Sequence, residues 1–169
     1  MKSKTEKTVT KTVGFPDVNL FKVLLGEHDK NLKLIEKLQK VHLQARGNEI
    51  QITGGKRETE IVESLVLQLY SLIGKGVPIY PADIDYARRI LTEDPNVRLE
   101  DVFLDTILVP SKRRSVTPKS IAQKAYIDAI RSHDMVFGIG PAGTGKTYLA
   151  MAAAVSALME RRVSRIVLA

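Results

Sequence analysis

Apolar residues recur along this chain with two periods. From Leu32 the spacing is helical: Leu32, Leu34, Ile35 and Leu38 fall on one stripe. Val41, Leu43 and Ala45 then alternate with polar neighbours, and so do Ile50 and Ile52 beyond Gly47-Asn48, a two-residue hairpin turn. After Gly54-Gly55 a longer helical stripe follows: Ile61, Leu65, Leu69 and Leu72, widened by Val62, Val66 and Ile73. Gly74 and Gly76 close it, as glycines close helices at their C-terminal ends. Upstream, Lys22-Val23-Leu24-Leu25 reads as a short strand stopped by Gly26, with Asp29 placed to cap the next helix. The pattern predicts a small α+β domain over residues 18–76, ordered strand, helix, strand, strand, helix. Residues 1–17 read as a flexible tail, whose first fourteen residues are rich in Lys and Thr.

Residues 77–116 read as a connector. It holds a short helix that starts at Tyr80-Pro81, carries Ile84, Ala87 and Leu91, and stops at Asp94-Pro95. Val102-Phe103-Leu104-Asp105 has the look of an apolar strand ending in an acid. From Pro118 a helix over about Lys119 to Arg131 presents Ile121, Ala125, Ile127 and Ile130. Met135 to Ile139 is a short, mostly apolar strand. Tyr148 to Glu160, rich in Ala, Leu and Met, suits a buried helix. Arg165 to Ala169 is a second buried strand. The predicted class is α/β: an α+β N-terminal domain, then over 117–169 the first part of a parallel sheet.

Between that strand and helix lies Gly140-Pro141-Ala142-Gly143-Thr144-Gly145-Lys146-Thr147, which matches G-x-x-x-x-G-K-[ST] at every fixed position. Glycines let successive backbone N–H groups turn inward on phosphate oxygens, a concavity that side chains would obstruct. Lys146 can bring a point charge to the β- and γ-phosphates of ATP, and the Thr147 hydroxyl can ligate Mg²⁺. The motif needs strand, loop, helix and strand around it, and the apolar pattern supplies that context. Gln123 lies 17 residues before Gly140. Its amide offers a donor and an acceptor, which matches the edge of adenine.

Composition narrows the partners. The 169 residues carry a formal net charge of +7, which invites an anion: nucleotide, nucleic acid or acidic lipid. There is no Cys, hence no disulfide framework or thiolate metal site. No apolar run is long enough to span a membrane. The charge is uneven. Residues 83–105 hold seven acids against three arginines. Lys112, Arg113, Arg114, Lys119 and Lys124 then follow in an acid-free run, read either as a solvated linker or as a contact to phosphate backbone.

The order of elements over 18–76 resembles the KH module that binds single-stranded RNA. The stretch corresponding to its GXXG clamp is Gly26-Glu27-His28-Asp29-Lys30, with one glycine and two acids, so the resemblance bears on fold more than on binding. Thr117-Pro118-Lys119-Ser120 with Gln123 and Tyr126, then Phe137 through Ala150, resembles the PhoH-like family. So does Gly26 to Asp29 with Arg46-Gly47-Asn48. The resemblance covers roughly residues 18–169. It implies a cytoplasmic bacterial ATP-binding protein whose P-loop ATPase core is similar to that of superfamily 1 helicases, with a link to RNA metabolism, and it leaves room for an oligomer in the complete protein. The family runs on well beyond Ala169, so the chain reads as C-terminally truncated. After Thr147 the only acid is Glu160, about 20 Å along the helix from the phosphates. ATP is therefore expected to bind this chain without turnover.

Overall fold

The computed structural model describes residues 8–105, 107–109 and 114–168, with the backbone alone at 107–109, 114 and 115. The chain is α/β, and it divides into two compact units, one ending at Leu99 and one starting at Glu100.

The first unit is built on a three-stranded antiparallel sheet in the order β1-β3-β2. β2 (His42–Arg46) and β3 (Glu49–Gly55) form the expected hairpin around Gly47-Asn48, with Arg46 opposite Glu49. Gly47 adopts φ +60°, which the tight turn requires. β1 (Thr8–Gly14) pairs along all of β3, from Thr8 opposite Gly55 to Gly14 opposite Glu49. Residues 8–14 are thus an edge strand, not part of a flexible tail; residues 1–7 of that expected tail lie outside the described residues. Lys11 and Glu63 form an ion pair that ties β1 to α3 (Lys56–Gly74). Phe15, just after the strand, is buried with its ring 5.1 Å from Phe21 and 4.9 Å from Tyr70.

The expected strand at 22–25 is instead part of a helix, α1 (Val18–Leu25). Asp17 decides it: its carboxylate accepts from the N–H groups of Asn19 and Leu20, which nucleates the first turn. Phe21 and Leu24, three apart, are then buried on one face. A 3₁₀ turn (Glu27–Asp29) leads into α2 (Lys30–Gln39). Asp29 stands at the N-cap but makes no cap hydrogen bond, because its backbone is left-handed at φ 58°. α2 buries Leu32 and Ile35, and α3 buries Leu65, Leu69 and Leu72 completely. Ile50 and Ile52 of β3 are equally buried. α3 ends as the glycines foretold: Gly76, at φ +79°, donates to the carbonyl of Ile73.

α4 (Pro81–Glu93) belongs to this unit rather than to a connector. Its buried residues Ile84, Ala87, Ile90 and Leu91 pack toward α2 and α3. Gln68 of α3 secures the segment after it, donating to the Val97 carbonyl and accepting from the Leu99 N–H.

The second unit departs further from expectation. Val102-Phe103 lies in a helix, α5 (Leu99–Phe103), not in a strand. β4 (Ile107–Val109) and β5 (Arg114–Val116) form a two-stranded antiparallel ladder. α6 (Ile121–Ser132) and α7 (Lys146–Met159) match the two expected helices closely and pack together through a small cluster: Val116, Ile127, Leu149 and Ala152, with Tyr126 and Ala153 against it. The parallel sheet is absent from the described residues. Residues 135–139 and 165–168 pair with no strand there, and Phe137 and Ile139 are 80% and 95% exposed. Parallel strands hold only with neighbours and with both faces covered, and these two segments have neither.

A candidate phosphate loop and its brace

The glycine loop delivers the chain to the N-terminus of α7. Gly145 is the N-cap residue at φ +84°, and Gly143 lies at φ +77°. Both are left-handed positions that cost other residues energy. No side chain caps α7, so the first N–H groups of its backbone are free of a side-chain acceptor. With the macrodipole they make that end attractive to an anion. A hollow of 350 Å³ opens here, lined by Ala142 to Tyr148.

The loop holds its own cation. Lys146 Nζ donates to the carbonyls of Gly140 at 2.8 Å and Pro141 at 2.6 Å, and to Thr144 Oγ1 at 3.2 Å. Thr144 Oγ1 in turn donates to the Pro141 carbonyl. The ammonium thus gathers the inner oxygens of the turn. The Thr147 hydroxyl, in the first turn of α7, is exposed and makes no hydrogen bond among the described residues.

Gln123 reaches the loop from α6. Its Nε2 donates to the Thr144 carbonyl at 3.1 Å, and its Oε1 accepts from the Lys119 N–H at 2.6 Å. Ser120 Oγ accepts from the Gln123 N–H and caps the helix. Ser120, named above only as part of the family motif, is thus a capping residue of the site. Its signal was available: S-x-x-Q is the spelling of a capping box. Gln123 is therefore a brace between helix cap and loop. It also borders a second hollow of 220 Å³, which it shares with Val116, Thr117, Tyr148 and Leu149. At Gly138 a Cβ would lie 3.1 Å from the Tyr126 ring, so the approach to the loop runs tight against α6.

Asp105 is tied into ion pairs. It accepts from Lys124 at 3.1 Å and from Arg131 at 2.5 Å. Burial pushes its carboxyl up, but those hydrogen bonds and charges outweigh it and hold the pKa below the usual value. Lys124 is held above its ordinary value, chiefly by a hydrogen bond to Asp128. Lys124 is thus no free contact for nucleic acid, and Lys119 lies 5.4 Å over the ring of Phe103. Lys112 and Arg113 of the same basic run lie outside the described residues. Glu160, at the far end of α7, accepts from Ser156 and Arg162.

Residues 115–169 match the family model described as PhoH-like protein. Over these residues the chain is similar to the PhoH-like family. It is 39% identical over 145 residues to a PhoH-like protein of Mycobacterium leprae (strain TN), which covers 86% of this chain and 41% of the relative. It is 37% identical over 145 residues to one of Bacillus subtilis (strain 168), covering 86% and 46%. A PhoH-like protein of Synechocystis sp. (strain ATCC 27184 / PCC 6803 / Kazusa) is 31% identical over 161 residues, 94% of this chain and 48% of the relative. The chain thus spans less than half the length of the curated relatives it matches. No solved structure matches it.

Proposed function

We propose that the chain is the ATP-binding part of a P-loop ATPase, with the triphosphate seated on Gly140 to Thr147. The observation that carries this reading is the loop's internal cation. Lys146 already lies inside the turn, held by two carbonyls and one hydroxyl, at the N-terminus of an uncapped helix. A phosphate entering the 350 Å³ hollow would exchange those neutral acceptors for charged ones, and a charge-assisted bond is the stronger. Lys146 then orients and neutralises the β- and γ-phosphates, the catalytic share assigned to it, while the loop amides from Ala142 to Gly145 bind the remaining oxygens.

The donor set fits Mg²⁺ sparingly: Thr147 offers one free hydroxyl, and this ion takes few protein ligands beside phosphate and water. Bound there, Mg²⁺ would supply charge neutralisation across the β- and γ-oxygens. Gln123 and the 220 Å³ hollow beside it suit the adenine, with the amide exchanging the Thr144 carbonyl for the base edge. In the complete protein the reaction is attack of water on the γ-phosphate. Within this chain, Asp105 is committed to Lys124 and Arg131, and Glu160 to Ser156 and Arg162, so neither serves the water. ATP is bound and left intact.

The reading places the protein in the cytoplasm, where ATP is available; no helix among the described residues is long and apolar enough to cross a membrane. A KH-like first unit that binds single-stranded RNA, with nucleotide as the switch, accompanies it. Its support is the antiparallel sheet backed by helices. Titration calorimetry tests the core of the proposal: ATP with Mg²⁺ should bind the native chain at least tenfold more tightly than the Lys146→Ala variant. Equal affinities would overturn it.

A further inference from the structure

The RNA reading names no surface, and both obvious ones are poor. The Gly26 turn exposes Glu27 and Asp29, and Lys124 of the basic run is spent on Asp105 and Asp128. The first unit offers another. Lys30, Lys33 and Lys37 follow one another at three and four residues along α2, and all three are exposed. Their face is opposite the buried Leu32, Ile35 and Gln39. Lys40 continues the line beyond the end of the helix.

A hollow of 360 Å³ joins this stripe to the start of α3, because Lys40 and Gln39 line it together with Gly55 and Glu58. Gly55 is the N-cap of α3, a helix with no side-chain cap, and Lys56 and Arg57 form its exposed first residues. Lys37, Lys40, Lys56 and Arg57 make no ion pair among the described residues. Lys33 donates only to the His28 carbonyl, which leaves its charge uncompensated. Lys30 is loosely paired with Glu27 at 3.8 Å. Of the acids nearby, Glu36 is turned to the Leu43 N–H and His42, and Glu58 remains on the wall of the hollow.

We propose that α2 and the N-terminal turn of α3 form a track for the sugar-phosphate backbone of single-stranded RNA, a surface that rests on the RNA reading above. The track runs about 15 Å along α2 before it reaches the hollow. It reads phosphate and not sequence, because α2 and the first turn of α3 carry no aromatic ring on which a base could stack. A membrane surface fits less well. The large exposed apolar residues of this unit are Val18, Val23, Leu67 and Tyr80, and none is on α2.

The test uses the full chain and a fluorescein-labelled oligouridine, titrated by anisotropy at several salt concentrations. Five uncompensated cations, Lys33, Lys37, Lys40, Lys56 and Arg57, give an expected log–log salt slope of about −3.5. Changing all five to Gln should reduce the slope to near zero and the affinity at low salt more than tenfold. The far-ultraviolet spectrum should be unchanged, since all five are exposed. Lys112→Gln with Arg113→Gln and Arg114→Gln should change little. The converse result, loss with the second set and none with the first, overturns the track and leaves the RNA reading standing. No binding by the native chain overturns both. Binding of the same five residues to anionic vesicles in preference to the oligomer makes the surface a lipid site and overturns the track. If the fivefold variant does not fold, acetylation of the native chain decides: bound oligouridine should protect Lys37, Lys40 and Lys56, and failure to protect them overturns the proposal.

Discussion

The two units satisfy their apolar residues in opposite ways. In the first, both ladders of the sheet are antiparallel and its partners are close at hand: β2 and β3 are joined by two residues, and α3 follows β3 directly. Ile50, Ile52, Leu65, Leu69 and Leu72 are buried completely. In the second, the buried cluster is four residues, and Met135, Phe137, Ile139, Val167 and Leu168 of the apolar segments 135–139 and 165–168 are exposed. The difference teaches that apolar content alone does not make a core. A hairpin finds its partner by local closure, whereas a parallel strand needs neighbours delivered by crossovers.

The largest effect that could break this contrast is a core truncation. Leu69→Ala should cost about 3 kcal/mol, confined to the first unit. Amide exchange read residue by residue checks it; equal loss of protection in α6 and α7 would show that the units unfold as one. The second unit should depend instead on polar ties. Asp105→Asn removes the charge that Lys124 and Arg131 share, at about 2 kcal/mol. The pH dependence has a definite sign. The native carboxyl titrates below its unfolded value, so the clamp contributes fully above the unfolded pKa and is lost as pH falls through the native one. Acid unfolding followed on α6 should be flatter in Asp105→Asn than in the native chain.

Smaller effects sharpen the comparison at the loop. Gly145→Ala forces a Cβ to 3.2 Å from Gln123 Nε2 at a φ of +84°, and should cost about 1.5 kcal/mol with weaker ATP binding. Gly143→Ala meets nothing within 4 Å and should cost less, about 1 kcal/mol, from its backbone alone. Thermal melts of the two variants rank them. The smallest change is expected for Gln123→Ala, about 1 kcal/mol of stability or less. It should also narrow the difference between ATP and GTP affinities, measured by calorimetry. A native chain that binds GTP as tightly as ATP would leave Gln123 a brace only.

Much of the first unit was legible because its signals are local. The stripe from Ile61 to Ile73 gave α3, Gly47-Asn48 gave the hairpin, and Tyr80-Pro81 with Asp94-Pro95 bounded α4 to within a residue. Residues 22–25 were misread because four residues suit either period; the Asp17 cap that settles the matter lies upstream. β1 was missed because only Val13 of its seven residues is buried, so its alternation carries little hydrophobic contrast. In the second unit, the loop and both long helices were legible from the motif and from composition. The fate of 135–139 and 165–168 was not, since pairing is a property of neighbours and not of the segment. Gln123 was found for its amide, while its ties to Lys119 and Thr144 depend on a tertiary approach that no spacing reveals.

The register of β1 also has a consequence in time. Thr8 is matched to Gly55, so the first strand of the sheet leaves a ribosome 47 residues ahead of its last partner. At about 5–20 residues per second, it waits roughly 2–9 s. Until Glu49 and the residues after it emerge, the ladder groups of β1 lack their β3 partners. From Thr8 to Thr12 the strand is Thr and Lys apart from Val9, so while it waits it offers other nascent chains less apolar surface than a more hydrophobic strand would.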